Sequence, residues 1–313
     1  MAFEVSRIYL DLFALGDGKL KTKIGIVGLG KIGRAVGESL LQEGHEVHVV
    51  SRPSTLEFEK MGGQLHANAS QVAQACELLI TCLPDEQSMH EAYEGAGGII
   101  VGCHDKLTIV ELGTFSAGLK KKLADKCASK MSTMLDCPIS GTPSMVAAKN
   151  GVLFISGDKA VAEGIQDIFN VFSPKNFYVG EFGCGMAIKL VTNFLVGANS
   201  LAVAEAFLLG MRSGLDPELM LKVIGPSAGG SRVFEFRGPM IAQRKFKPAP
   251  GPAHILWKDL QLIQEQSSML GLSAPILAAQ MEWFGKMMAQ GKRDDEVAAV
   301  FEMLESNSSK IAN

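Results

Sequence analysis

From Lys21 onward, short apolar runs rich in β-branched residues alternate with longer stretches whose apolar residues recur at helical spacing. "KIGIVGLG" is such a run, and "KIGRAVGESLLQEG" follows it with a helical period that closes at Gly44. "HEVHVVSR", "ELLITCLP" and "KLTIVELGTFS" repeat the run, with amphipathic "SQVAQAC" and "DEQSMHEAYEG" between the later ones. Continuous apolar runs mark strands buried on both faces. Their alternation with helices predicts a parallel sheet, doubly wound with helices on both faces. "STMLDCPIS", "GVLFISGD" and "KNFYVGEFG" carry the pattern to about residue 183.

After Gly185 the pattern predicts no strand. "SLAVAEAFLLGMRSG", "DPELMLKVIG" and "SAPILAAQMEWFGKMMAQG" are helical by period, several closed by glycine. Asp216 before Pro217 is a helix start. The expected organisation is an extension over 1–20, an α/β domain over 21–183, a long connecting helix over 184–213 and an all-α domain over 214–313.

The stretch "GMAIKLVTNFLVGANSLAVA", Gly185 to Ala204, is almost wholly apolar yet holds Lys189 and Asn193. Three readings arise: a membrane span, a buried helix with one solvated lysine, and a core helix that carries chemistry. A span needs about 20 mostly apolar residues. This segment has the length, but its Lys189, Thr192, Asn193, Asn199 and Ser200 are costly in lipid, and no second segment like it exists. Residues four apart share a helix face, so Lys189, Asn193 and Ser200 form one polar stripe.

Composition narrows the picture. The chain has 313 residues, 47% hydrophobic and 20% charged, with a net charge of -3. A soluble protein with a sizeable core is expected, and neither nucleic acid nor an anionic membrane is expected as a partner. The basic run Lys120–Lys122 reads as the solvated face of a helix. Six cysteines without a C-x-x-C pair read as reduced, buried thiols rather than a disulfide framework or a zinc site; no metal is expected. Residues 1–20 lack the basic start and unbroken apolar core of a signal peptide, so the expected compartment is the cytoplasm.

"GLGKIG" places Gly28, Gly30 and Gly33 in G-x-G-x-x-G spacing, with Leu29, Lys31 and Ile32 between them. The first glycine permits a tight turn, the second lets a pyrophosphate approach the backbone, and the third allows close helix–strand packing. The motif follows a strand and opens a helix, whose free N–H groups and dipole attract phosphate. Dinucleotide binding is expected. The second strand ends in Ser51 and Arg52, where a ribose-binding acid would otherwise stand. An arginine fork suits a 2′-phosphate, so NADP is expected over NAD, with NAD possible. Loops after later strands line the same crevice, which makes Leu83, Pro84, Ser88 and Thr114 further candidates to touch the cofactor.

Four stretches in series, "GIVGLGKIG", "DCPISGTP", "GEFGCGMAIKLVTN" and "WKDLQL", resemble the β-hydroxyacid dehydrogenase family over about residues 21 to 305. That family includes 3-hydroxyisobutyrate dehydrogenase, tartronate semialdehyde reductase and the glyoxylate/succinic semialdehyde reductases. The resemblance implies a Rossmann domain and an all-α domain. It implies that Gly180, Gly183, Gly185, Lys189 and Asn193 match a glycine-rich signature whose lysine is catalytic and whose asparagine lies beside the substrate. It implies that Asp136, Pro138, Ser140 and Gly141 belong to the substrate loop, with Thr142 in place of a glycine. Lys258, Asp259 and Leu260 match a motif whose lysine contacts the cofactor. The proline-rich "KPAPGPAHILW" is a second departure, also near the expected substrate pocket.

On this reading Lys189 and Asn193 face the crevice between two domains. Desolvation would lower the lysine's pKa toward neutrality, as a proton donor or acceptor requires. A hydride passes between nicotinamide and a small β-hydroxy acid or semialdehyde, Lys189 transfers the proton, Asn193 orients the oxygen, and Ser140, Gly141 and Thr142 hold a carboxylate. Reduction is the expected working direction. His254 reads as a residue of the pocket or just behind it, and Ser231, Arg232 and Arg237 either meet an acidic substrate or belong to a surface helix. An imine reductase on the same fold, and a non-catalytic NADP-binding sensor or scaffold, are the rivals; Lys189 argues against the first, and Lys189, Asn193, Ser140 and Lys258 together against the second. The apolar helices exceed what one small domain buries, which predicts a homodimer or homotetramer.

Overall fold

The computed structural model describes residues 21–308. It contains β1 (Lys23–Val27), α1 (Lys31–Gln42), β2 (Glu46–Val50), α2 (Leu56–Lys60), β3 (Gln64–His66), α3 (Ala69–Ala75) and β4 (Leu78–Thr81). Next come α4 (Glu86–Glu94), α5 (Ile99–Gly102), β5 (Thr108–Glu111), α6 (Ala117–Ala128), β6 (Thr133–Asp136), β7 (Ile139–Ser140) and α7 (Pro143–Ala147). The α/β region closes with β8 (Val152–Ser156), α8 (Lys159–Gly164), α9 (Gln166–Phe172) and β9 (Lys175–Gly180). Helices then follow one another: α10 (Cys184–Arg212), α11 (Pro217–Ile224), α12 (Arg232–Ala242), α13 (Ala253–Met269), α14 (Pro275–Ala289) and α15 (Val300–Asn307).

The strands join in the order β3-β2-β1-β4-β5-β6-β8-β7, with β9 beside β8. From β3 to β6 every pairing is parallel. The far edge departs from the expected all-parallel sheet. There β8 runs antiparallel to β6 and β7, and β9 parallel to β8. The β7–β8 connection holds only the short α7, so the chain reverses locally instead of crossing over.

Side chains alternate across the sheet. Ile24 and Ile26 enter one core with Leu78, Ile80 and Val110. Val27, Leu79 and Ile109 enter the other, with Tyr93 and Leu123. Helices cover both faces, which is why the strands read as continuous apolar runs. Each such side chain contributes about 1.5–3 kcal/mol on full burial.

The chain divides into two compact units within α10, after Lys189. The second unit has its own core, in which Leu201, Ala204 and Phe207 of α10 pack with Met220, Phe234, Leu260, Phe284 and Phe301. By length and a mean hydropathy of 1.6, α10 could cross a membrane, but this face of it is spent on a protein core. Its exposure inverts the usual pattern. Lys189 and Asn193 are each only 8% exposed, and Ser200 1%, while Val191 (58%) and Leu195 (52%) face outward. A solvated lysine whose stem covers apolar surface would show the opposite.

Candidate functional site

The site begins at the turn after β1. Gly28 has φ +101°, and a Cβ there would lie 2.2 Å from the Cys82 carbonyl oxygen at the end of β4. Only glycine lets the turn sit where the strand order reverses. A Cβ on Gly33 would lie 2.1 Å from the Gly28 oxygen, whereas one on Gly30 would meet nothing within 4 Å. No side chain caps the start of α1 and its first turn holds no acid. The N–H groups of Lys31 and Ile32 and the positive dipole end therefore face an anion-binding position. Leu29 and Ile32 pack against the core below. Two filled contacts and one open backbone approach fit the pyrophosphate of a dinucleotide.

Beyond β2, Ser51 and Arg52 are exposed. The Ser51 N–H donates to the His66 carbonyl at 2.7 Å, and the Arg52 N–H to Thr55 Oγ1 at 2.8 Å. The backbone beneath Arg52 is thus held by its own turn. Half-buried Leu83 and exposed Pro84 follow β4, and half-buried Thr114 follows β5. Ser88 lies in the first turn of α4, its N–H bonded to Asp85 Oδ1 at 2.7 Å. These positions share the carboxyl edge of the parallel strands with the glycine turn.

The second part of the site is the start of α10. Asp136, at the end of β6, is fully buried. Its Oδ2 accepts the Met186 N–H at 2.8 Å and lies 3.2 Å from the Ser156 hydroxyl. Ser156 Oγ in turn accepts the Gly185 N–H at 2.9 Å. A Cβ on Gly185 would lie 2.6 Å from the Asp136 carbonyl oxygen and 3.0 Å from Pro138 Cδ. The first turn of α10 is therefore clamped onto β6, β8 and the "DCPISG" loop. Buried Lys189 lies one turn further on. In that loop Ser140 is half-buried and Gly141 exposed, with φ +147°. The Thr142 hydroxyl caps α7, accepting from the Met145 N–H at 3.4 Å and lying 2.9 Å from Ser144 Oγ.

Beneath this clamp, Lys120 Nζ lies 2.7 Å from Asp136 Oδ1 and 2.5 Å from Glu111 Oε2, with all three side chains at most 1% exposed. Burial pushes Glu111 up, and Lys120 offsets only part of this. Burial pulls Lys120 down, but the two carboxylates outweigh it and leave its pKa above the ordinary lysine value.

In the second unit, Asn193 Nδ2 donates to Asp259 Oδ2 at 2.6 Å. Lys258 Nζ lies 3.3 Å from the other oxygen, Asp259 Oδ1. A carboxylate can only accept, so this bond sets the orientation of the Asn193 amide.

Several expectations change. Lys120 is not on a solvated face. Lys120, Leu123 and Cys127 form the buried face of α6, while Lys121 and Lys122 are exposed. That 120, 123, 127 spacing was the signal. Arg237 is buried against Glu296, with Nη2 3.0 Å from Oε1, so its charge is satisfied within the fold. His254 Nδ1 lies 3.0 Å from the Arg293 carbonyl and 3.2 Å from Asp294, which occupies that nitrogen with the loop ahead of α15 and not with a pocket. Ser231 caps α12 through the Phe234 N–H, and Arg232 is exposed. The Ser200 hydroxyl bonds to the Val196 carbonyl of its own helix. All six cysteines are free thiols, but Cys82, Cys103 and Cys184 are only partly buried. Glu111 and Ser156 were not anticipated, and Asp259 was expected beside Lys258 but not as the partner of Asn193, since these partners lie on distant strands and helices.

Two family models match the chain in succession. Residues 23–180 match the NAD binding domain of 6-phosphogluconate dehydrogenase. Residues 183–304 match the NAD-binding domain of NADP-dependent 3-hydroxyisobutyrate dehydrogenase. The chain is 29% identical over 285 residues to 2-(hydroxymethyl)glutarate dehydrogenase of Eubacterium barkeri, covering 90% of this chain and 95% of that one. It is 29% identical over 294 residues to L-threonate dehydrogenase of Cupriavidus necator, covering 91% and 98%. The crystal structure of 3-hydroxyisobutyrate dehydrogenase from Salmonella typhimurium superposes with a TM-score of 0.80 at 21% identity, covering 90% of this chain and 99% of that one. That likeness concerns the fold.

Proposed function

The chain belongs to the NAD(P)-dependent β-hydroxyacid dehydrogenase family, that of 3-hydroxyisobutyrate dehydrogenase, and on that premise we propose that it interconverts a small β-hydroxy acid and its semialdehyde, with Lys189 as the proton-transferring group. The observation that carries this reading is the clamp at the start of α10. Gly185 and Met186 are pinned to Ser156 and Asp136, which sets Lys189 one turn beyond that contact, buried on a mainly apolar helix.

A bound nicotinamide supplies or accepts the hydride. Lys189 gives a proton to the carbonyl oxygen in reduction and takes it back in oxidation. Asn193, its amide oriented by Asp259, aligns the same oxygen. Ser140 and the backbone N–H groups of Gly141 and Thr142 bind the substrate carboxylate; the Thr142 side chain contributes rigidity, since its hydroxyl caps α7. NADP is the preferred cofactor, with Arg52 taking the 2′-phosphate, and reduction is the working direction. The exposed Val191 and Leu195 support association of copies as a homo-oligomer.

The test is oxidation of NADPH and NADH in parallel with succinic semialdehyde, glyoxylate, tartronate semialdehyde and methylmalonate semialdehyde. Turnover by the wild type that Lys189→Ala abolishes, with cofactor binding unchanged in both, supports the reading. Full activity in Lys189→Ala would overturn it.

A further inference from the structure

Strands β5 and β6 end on a matched pair of acids. Glu111 and Asp136 stand opposite each other in the parallel register, and both are fully buried. Two carboxylates side by side out of water repel. Lys120 of α6, only 1% exposed, comes between them, with Nζ 2.5 Å from Glu111 Oε2 and 2.7 Å from Asp136 Oδ1. Each carboxylate therefore has one oxygen on the ammonium. The other oxygen of each takes a backbone N–H from a different part of the site. Glu111 Oε1 accepts the Gly113 N–H at 2.7 Å, next to Thr114 in the loop after β5. Asp136 Oδ2 accepts the Met186 N–H at 2.8 Å, just ahead of Lys189 in α10. One buried path thus joins the two segments, through Glu111, Lys120 and Asp136.

We propose that Lys120 is a positioning residue, the bridge that holds the cofactor-facing loop after β5 and the first turn of α10 as one frame. The inference rests on the reading of Lys189 given above. Lys120 acts through its two carboxylates, since its own ammonium is buried against them. Stability alone does not call for an ion network here, because well-packed apolar side chains of similar volume often serve a fold as well or better. The ammonium adds direction. A carboxylate fixed by a cation on one oxygen presents the other at a set angle, and charge-assisted bonds are about twice as strong as neutral ones. Hydride transfer to a carbon and proton transfer to its oxygen need the loop and Lys189 at one mutual distance, and a displacement of about 1 Å can lower the rate roughly 100-fold. The two segments lie far apart in sequence, so no local turn sets that distance. The path through Lys120 does.

Hydrogen exchange of the full-length protein at pH 8, followed by mass spectrometry without cofactor or substrate, reads the frame directly. In Lys120→Met the peptides covering residues 112–116 and 184–190 are both expected to exchange roughly tenfold faster or more, with a smaller change in β1 and β2. Adding Glu111→Gln leaves an amide oxygen for the Gly113 N–H and no cation for Asp136. In that double variant the 112–116 peptide is expected to return toward the wild-type rate while the 184–190 peptide stays fast. The double variant also keeps the test readable if Lys120→Met fails to fold. With a substrate that the wild type turns over, the double variant is expected to regain stability while kcat stays roughly 10- to 100-fold low, with KM little changed. A merely structural role would restore kcat together with stability. Acceleration spread evenly over the molecule, wild-type exchange in the 184–190 peptide of either variant, or wild-type kcat in the double variant would overturn the proposal. The exchange result needs no turnover, so it decides on the frame even where the failure of every substrate overturns the functional reading.

Discussion

Replacing Lys120 by methionine tests whether the buried charges under α10 support the fold. The substitution keeps an unbranched side chain, one atom shorter, and removes its charge. In the wild type the ammonium lies 2.5 Å from Glu111 and 2.7 Å from Asp136. Each pair attracts by roughly 6 kcal/mol at an effective dielectric of about 20, against a desolvation cost of several kcal/mol per ion. Methionine spares one of those costs but leaves two carboxylates facing each other out of water. The expected loss of unfolding free energy is about 3–5 kcal/mol, a large share of the 5–15 kcal/mol typical of a native protein.

The loss must also depend on pH. Burial already holds Glu111 above its ordinary value, and removing Lys120 raises it further. A carboxyl whose folded pKa exceeds its unfolded one carries no penalty below the unfolded value of about 4.5. The penalty grows with rising pH and is complete above the folded pKa. The variant is therefore expected to lose more stability at pH 8 than at pH 5. Glu111→Gln added to Lys120→Met removes the second carboxylate and is expected to recover at least about 1 kcal/mol at pH 8. Urea unfolding of the wild type, the single variant and the double variant measures all of this. A loss below about 1 kcal/mol at pH 8, or no recovery in the double variant, would refute the reasoning.

Gly28→Ala and Gly30→Ala are expected to separate folding from cofactor binding. The first forces a Cβ onto a carbonyl oxygen at positive φ and is expected to cost more than about 1 kcal/mol of stability. The second meets nothing in the fold, so its melting temperature holds while its dinucleotide affinity falls; equal affinity by calorimetry would count against the cradle. Asp259→Asn exchanges the charged acceptor of the Asn193 bond for a neutral one. A bond to a charged group contributes about 1.5–3 kcal/mol to stability, so the melting temperature is expected to fall, and kcat/KM with it as the Asn193 amide loses its fixed orientation; unchanged kinetics would remove Asn193 from the orienting role. Arg52→Ala is expected to weaken NADPH binding and spare NADH, and parallel losses for both cofactors would show that Arg52 does not read the 2′-phosphate.

The local order of this chain was legible without coordinates. Strands buried on both faces are apolar at most positions, and helices on a sheet repeat at 3.6 residues, so runs such as "KIGIVG" and "ELLITC" announced their elements. The glycine spacing announced the turn, because few other sequences satisfy a close strand contact and an open backbone approach together. Even the antiparallel edge left a trace, in the short distance between "DCPIS" and "GVLFIS", although its direction was not read. Tertiary structure decided which charged groups went inside. Lys120 sat in a run of three lysines, and only the arrival of Glu111 and Asp136 from neighbouring strands made its burial affordable. Arg237 awaited Glu296, 59 residues away, and Asn193 awaited Asp259, 66 residues away. Apolar burial is set residue by residue and repeats along the chain. A buried charge is set by its partner, and the partner's position exists only once the chain has folded.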